Sequence, residues 1–369
     1  MLVRTLLRVL ASAAIAYMAF KTSTQITGLS KLAAPMTQFS AKSAAETIAN
    51  VNPLPTLFVS HGGPTFIYEN DETGNKGAWR AIRGLGTAIK KKWKPDYIIV
   101  VSAHWQLNGS NSIEVAVPPR KSLFGQKAPE TTMNGDWVEN PLIYDFYGFP
   151  DHMYKEKFRT WNSRFLSQLI SEHLQENGFH SKLTERGFDH GVWVPLKVAF
   201  PQGPGESDMA LPETPLIQVS LTGVESDFKT HARLGEVLSH FQNNMIWDPV
   251  REKHLRGLVI CSGMSVHNLR DLGLALHSGG RTMPYVPEFS KILSKTMQSG
   301  PNVLNGLESL KTEHSALLRK AHPTVEHFVP IVVAAGVNKA SGDREVTEVY
   351  TADQLSMAWG TYQFGAYSP

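Results

Sequence analysis

Three short apolar runs in this chain each deliver a histidine just beyond a strand end. Thr56 to Ser60 is a β-prone run with Pro55 before it and Gly62, Gly63 and Pro64 after it, and His61 is the first residue past its end. Tyr97 to Val101 leads through Ser102 and Ala103 to His104, and Leu258 to Ser262 leads through Gly263 to Val266 and then His267. Such runs predict buried strands ending in tight turns. In open α/β sheets, ligands gather outside the carboxyl ends of the strands. Three separate strands bringing imidazoles to one edge is the strongest constraint in the sequence.

The remaining patterns supply the flanking elements. Gly77 to Trp93, Arg159 to Asn177, Asp227 to Asn243 and Ile331 to Ala335 predict helices, and 284–320 reads helical and polar. Leu216 to Leu221 predicts another buried strand; Glu345 to Tyr350 and Ser356 to Phe364 predict closing strands. Residues 106–150 are loop-rich and carry the aromatic run Tyr144 to Phe149, which reads equally as a lid over a site or as a satellite core. His190 falls in a turn-flanked segment, Gly187 to Trp193. No internal repeat or linker divides 51–369, which predicts one domain.

Composition excludes several classes. Apolar residues make up 42% and charged residues 19% of the 369, enough for a substantial core. A lone cysteine, Cys261, rules out a disulfide framework or a cysteine-rich zinc site and reads as core. Residues 1–45 hold five basic residues (Arg4, Arg8, Lys21, Lys31, Lys42) and no acid; subtracting these from the net charge of +3 leaves −2 for the body. That near-neutral body offers no footprint for nucleic acid. The leader itself, with an apolar stretch from Val9 to Phe20, reads as a targeting segment. Its acid-free, Arg-bearing character favours a mitochondrial presequence, with a secretory signal, a short membrane anchor or a cytoplasmic protein as alternatives.

Five histidines stand out by context: His61, His104, His190, His267 and His327. Imidazole is the commonest metal ligand, yet a single strand-end histidine is more often structural. Spacing does not decide between a mononuclear metal site and separate structural histidines, because the gaps are long and no His-Glu-x-x-His motif is present. Gly263 to His267 departs from a nucleophile elbow by carrying His at the second glycine position. Asp189-His190 and Glu326-His327 suggest acid–base pairs, but adjacent side chains seldom point together.

Taken as a set, His61 to Pro64, Val101 to Trp105, Gly187 to Trp193, Ser262 to Leu269 and His322 to Phe328 resemble, in order, the blocks of the class III extradiol ring-cleavage dioxygenases, in the 4,5-DOPA dioxygenase extradiol-like branch. The resemblance covers about residues 54–365. It implies an α/β single domain with a central, mostly parallel sheet flanked by helices and a metal site at the carboxyl ends of the strands. It further implies a catecholic substrate, O2, and Fe(II), with Zn(II) able to occupy the same place. His61, His104 and His327 carry over as metal ligands, His267 as a further ligand or the acid–base histidine, and His190 as a histidine near substrate and oxygen. Gly63 and Val325 depart from residues the family often carries, Ser and Pro, without removing a ligand. A zinc-dependent hydrolase on the same histidines and a non-catalytic metal-binding relative remain the alternative readings.

Overall fold

The computed structural model describes residues 46–119, 131, 136–203 and 208–366; residues 1–45, where the sequence suggests a targeting segment, lie outside them. The main sheet has nine strands, numbered here in chain order: β1 (Thr56–Ser60), β2 (Tyr97–Gln106), β3 (Ser112–Val117), β4 (His180–Glu185), β5 (Leu216–Leu221), β6 (Gly257–Gly263), β7 (Val266–His267), β8 (Val346–Gln354) and β9 (Met357–Phe364). Their spatial order is β7-β9-β1-β6-β2-β5-β3-β4, with β8 paired to β9. The centre, β1-β6-β2-β5, is parallel. β9 runs antiparallel to β1, and β3 antiparallel to β5. The sheet is therefore mostly, not purely, parallel.

The central strands are buried on both faces, as parallel sheets require. Along β2 the alternation divides the core. Tyr97, Ile99 and Val101 join one cluster, together with the helices α4 (Phe228–Leu238) and α6 (Val329–Ala340). Ile98 and Val100 join the opposite cluster, with α1 (Lys76–Ala88) and α3 (His190–Ala199). Each fully buried Leu, Ile, Val or Phe in these layers contributes roughly 1.5–3 kcal/mol. Cys261 is fully buried on β6, and burial pushes its thiol far above the ordinary range, as a core cysteine demands.

Several sequence expectations shift at their edges. The first helix gives way at Ile89–Trp93 to a π-turn that ends on left-handed Lys94, because Pro95 forbids continuation. The expected helix at 159–177 begins only at Arg164 (α2, Arg164–Glu176). Ser163 caps it through Leu166 N, and Trp161–Ser163 forms a short strand before it. The helix expected at 227–243 breaks at Ser239. The 284–320 stretch contains α5 (Tyr285–Met297) followed by shorter helices. β3 lies inside the stretch read as loop, and β4 was not expected; its exposed, polar sequence hides it. Thr47–Ala49 pairs with Asn244–Ile246 in a separate small sheet, so the folded body includes residues ahead of Val51.

Candidate metal centre and active site

Each expected strand-end histidine is placed by the local backbone. His61 leaves β1 and is tied to the end of β6 by its N–H to Gly263 O. The next residue, Gly62, has φ +67, and an added Cβ would sit 2.3 Å from the Trp359 ring, so only glycine makes this turn. His104 lies inside β2 and not past its end as expected, because the strand runs on to Gln106 across a register shift against β5 between Val101 and Gln106. His327 lies just ahead of α6, its carbonyl accepting the Met264 N–H. His267 is carried on β7 at the same edge.

These side chains converge. Nε2 of His104 lies 3.1 Å from Nε2 of His61 and 3.2 Å from Nε2 of His327. With metal–nitrogen bonds of about 2.1 Å, nitrogens sharing a tetrahedral or octahedral face lie roughly 3.0–3.4 Å apart. Both gaps fall in that interval. The other ring nitrogens are engaged behind the cluster. Ser262 donates its hydroxyl proton to Gly191 O, so its oxygen accepts from His61 Nδ1 at 3.0 Å. His327 Nδ1 donates to Glu326 Oε1 at 3.0 Å. These two bonds place the protons on Nδ1 and leave Nε2 lone pairs facing inward, the arrangement of ligating imidazoles.

The two remaining histidines flank this triad. His267 stacks on His327 with centroids 3.6 Å apart and planes 17° off parallel. His190 lies over His104, centroids 3.9 Å apart. It is the first residue of α3 and not part of a turn, as the sequence suggested. Gly191 behind it is required by closeness: a Cβ there would come 2.5 Å from Ser102 Oγ and 2.7 Å from the His104 ring.

Electrostatics separates the imidazoles. Burial, then the neighbouring imidazoles, holds His61 and His104 well below the usual histidine range, and burial and His327 do the same for His267. Neutral rings offer lone pairs. For His190, burial also disfavours the charge, but the Asp145 carboxylate outweighs it and raises the pKa. Burial likewise works against a charged Glu326, yet the hydrogen bond from His327 keeps its carboxyl well below the ordinary range.

The two adjacent acid–histidine pairs differ: the first overturns the expectation that neighbouring side chains diverge, and the second meets it. Glu326 and His327 do point together, because the turn before α6 folds the carboxylate back beside the ring, with Thr324 Oγ1 donating to it at 3.0 Å. Asp189 turns away from His190. Its buried carboxylate takes Ser102 Oγ at 2.7 Å, Gln218 Nε2 at 2.5 Å and Arg186 at 3.2 Å beneath the site. Sequence reasoning missed Asp145. It lies within the aromatic run, and the only hint was that run's ambiguity as a lid.

A family model described as the catalytic LigB subunit of aromatic ring-opening dioxygenase matches residues 55–365. The chain belongs to this LigB family. The match spans the nine-stranded sheet and all five clustered histidines. A 4,5-DOPA dioxygenase extradiol-like protein of Schizosaccharomyces pombe is 29% identical over 312 residues, covering 81% of this chain and 90% of the relative. The 4,5-DOPA dioxygenase extradiol of Beta vulgaris is 28% identical over 315 residues, covering 84% and 96%. The crystal structure of an uncharacterized protein from Escherichia coli K12 superposes with a TM-score of 0.52 at 22% identity, over 85% of this chain and 100% of that one, and shares the LigB fold. The LigB assignment agrees with the single α/β domain expected from the sequence.

Proposed function

We propose that this protein is an Fe(II)-dependent extradiol dioxygenase that opens the ring of a catecholic substrate with O2. The observation that carries the reading is the approach of His61 Nε2 and His327 Nε2 to His104 Nε2, at 3.1 and 3.2 Å, each of the outer two pinned from behind through Nδ1. The names of the relatives, extradiol dioxygenases across most of the chain, support the reaction class. His61, His104 and His327 would hold the metal, with His267 as a further ligand or the base.

Bound Fe(II) would supply the redox chemistry that a closed-shell zinc ion lacks, with positions left open for a catecholate and O2. The chain's own residues do the rest. His267, neutral and stacked against His327, is fitted to take the second hydroxyl proton of the catechol. His190, on the opposite flank over His104, presents its ring to the same substrate face. Phe146, packed against His190 and Trp193, supplies an apolar wall that excludes water on that side.

The test is anaerobic reconstitution with Fe(II) or Zn(II), followed by oxygen uptake against a panel of catechols. The expected result is uptake of one O2 per catechol with iron and none with zinc. Ester or amide hydrolysis by the zinc form, beside an iron form inert to every catechol, would replace this reading with the hydrolase one.

A further inference from the structure

Asp145 enters the histidine cluster from the stretch of chain that precedes α2, and its immediate neighbours are firmly held. Ile143 N–H donates to Phe188 O at 2.7 Å, Trp193 Nε1 to Ile143 O at 3.1 Å, and Tyr144 hydroxyl to Glu156 O at 2.6 Å. The next residue, Phe146, is buried against His190 and Trp193.

One carboxylate oxygen then addresses His190 twice. Asp145 Oδ1 accepts the His190 backbone N–H at 2.9 Å and lies 2.9 Å from its Nδ1, off the line of an ideal hydrogen bond. Oδ2 lies 3.7 Å from His104 Nδ1. The acid that precedes the helix, Asp189, makes no capping bond, because Ser102, Gln218 and Arg186 occupy it. Asp145 caps α3 in its place, from a distant part of the chain, and the positive end of the helix favours its charge. A carboxylate oxygen has only lone pairs to offer, so Nδ1 facing it at this distance carries a proton. Nε2 is left as the ring nitrogen available to substrate or O2.

We propose that Asp145 is a positioning residue of the ring-opening reaction: it fixes His190 in the Nδ1–H form and sets its ring plane over His104, so that Nε2 faces the reacting atoms. The kinetic part rests on the proposed dioxygenase reaction; the tautomer part does not.

The test uses the full chain with uniformly nitrogen-15-labelled histidine, loaded with zinc so that the site is diamagnetic. Two-bond proton–nitrogen correlations should show His190 protonated at Nδ1 in the wild type. Asp145→Ala should move it toward the Nε2–H form that histidine favours in water. Asp145→Asn keeps an acceptor oxygen and should retain Nδ1–H. In the iron-loaded enzyme, Asp145→Ala should lower kcat roughly 10- to 100-fold, the range for lost orienting partners, with KM and metal content nearly unchanged, and Asp145→Asn should recover most of that loss. A neutral His190 protonated at Nε2 and bare at Nδ1 in the wild type, recorded at a pH above the ring's titration, or a tautomer untouched by Asp145→Ala, would overturn the proposal. So would an activity loss in Asp145→Ala matched by loss of metal, which would make Asp145 a support for His104 instead. An Asp145-dependent tautomer in a protein that opens no ring would support the contact and count against the dioxygenase reading.

Discussion

Glu326 and His327 are neighbours in the chain, yet Oε1 of the first lies 3.0 Å from Nδ1 of the second, and the ring's far nitrogen lies 3.2 Å from His104 Nε2. A carboxylate behind an imidazole fixes its tautomer and raises its basicity toward a metal. Glu326 therefore orients the His327 ring from behind.

Glu326→Gln keeps the shape and a hydrogen-bonding oxygen but removes the charge. It should weaken metal affinity about 10- to 100-fold, the usual cost of losing a ligand's orienting partner, while His104→Ala should leave bound metal far below stoichiometric. Metal titration of both folded variants checks this. Full metal retention in His104→Ala would remove His104 from the ligand set.

The flanking histidines differ in their surroundings. His267 stacks on His327 and is kept neutral by burial, whereas His190 is held by Asp145 on the other side. Loss of a general base costs about 100- to 10,000-fold in rate. His267→Ala should lose at least that much at saturating substrate, and His190→Ala less. A larger loss in His190→Ala would reverse the two assignments.

Much of this site was legible from the chain because strand ends announce themselves. Apolar runs leading into glycine or other small residues marked the positions of His61, His104 and His267, and both faces of the parallel centre are buried, so the runs are unbroken. What failed to show has a physical cause in each case. β4 is an edge strand with an exposed, polar sequence, so no periodicity betrays it. His190 reads as a turn residue because Gly187 and Gly191 surround it and Pro195 sits inside its helix. Asp145 acts across 45 residues of chain on a helix whose adjacent acid is occupied elsewhere, and no local pattern encodes that.

Outside the site, His231 gives the fold a pH dependence. Its Nδ1 donates to Asp227 O at 2.8 Å, and burial lowers its pKa to about 4 from 6.5. The folded state thus resists a proton that the unfolded chain accepts. The contribution is fully present above about pH 6.5 and is lost as the pH falls toward 4, amounting to about 3 kcal/mol at most. Urea unfolding at pH 7 and pH 4.5 should show a larger loss for the wild type than for His231→Asn, which keeps a donor for Asp227 O but does not titrate. Equal losses would show that His231 does not set the slope.

The most direct test of the central claim is isotopic. The Fe(II)-loaded protein, given a catechol under 18O2 and trapped rapidly before the aldehyde oxygen exchanges with water, should yield a ring opened beside the two hydroxyls, with both labelled atoms in the product. Label entering only from water, or cleavage between the hydroxyls, would contradict the account.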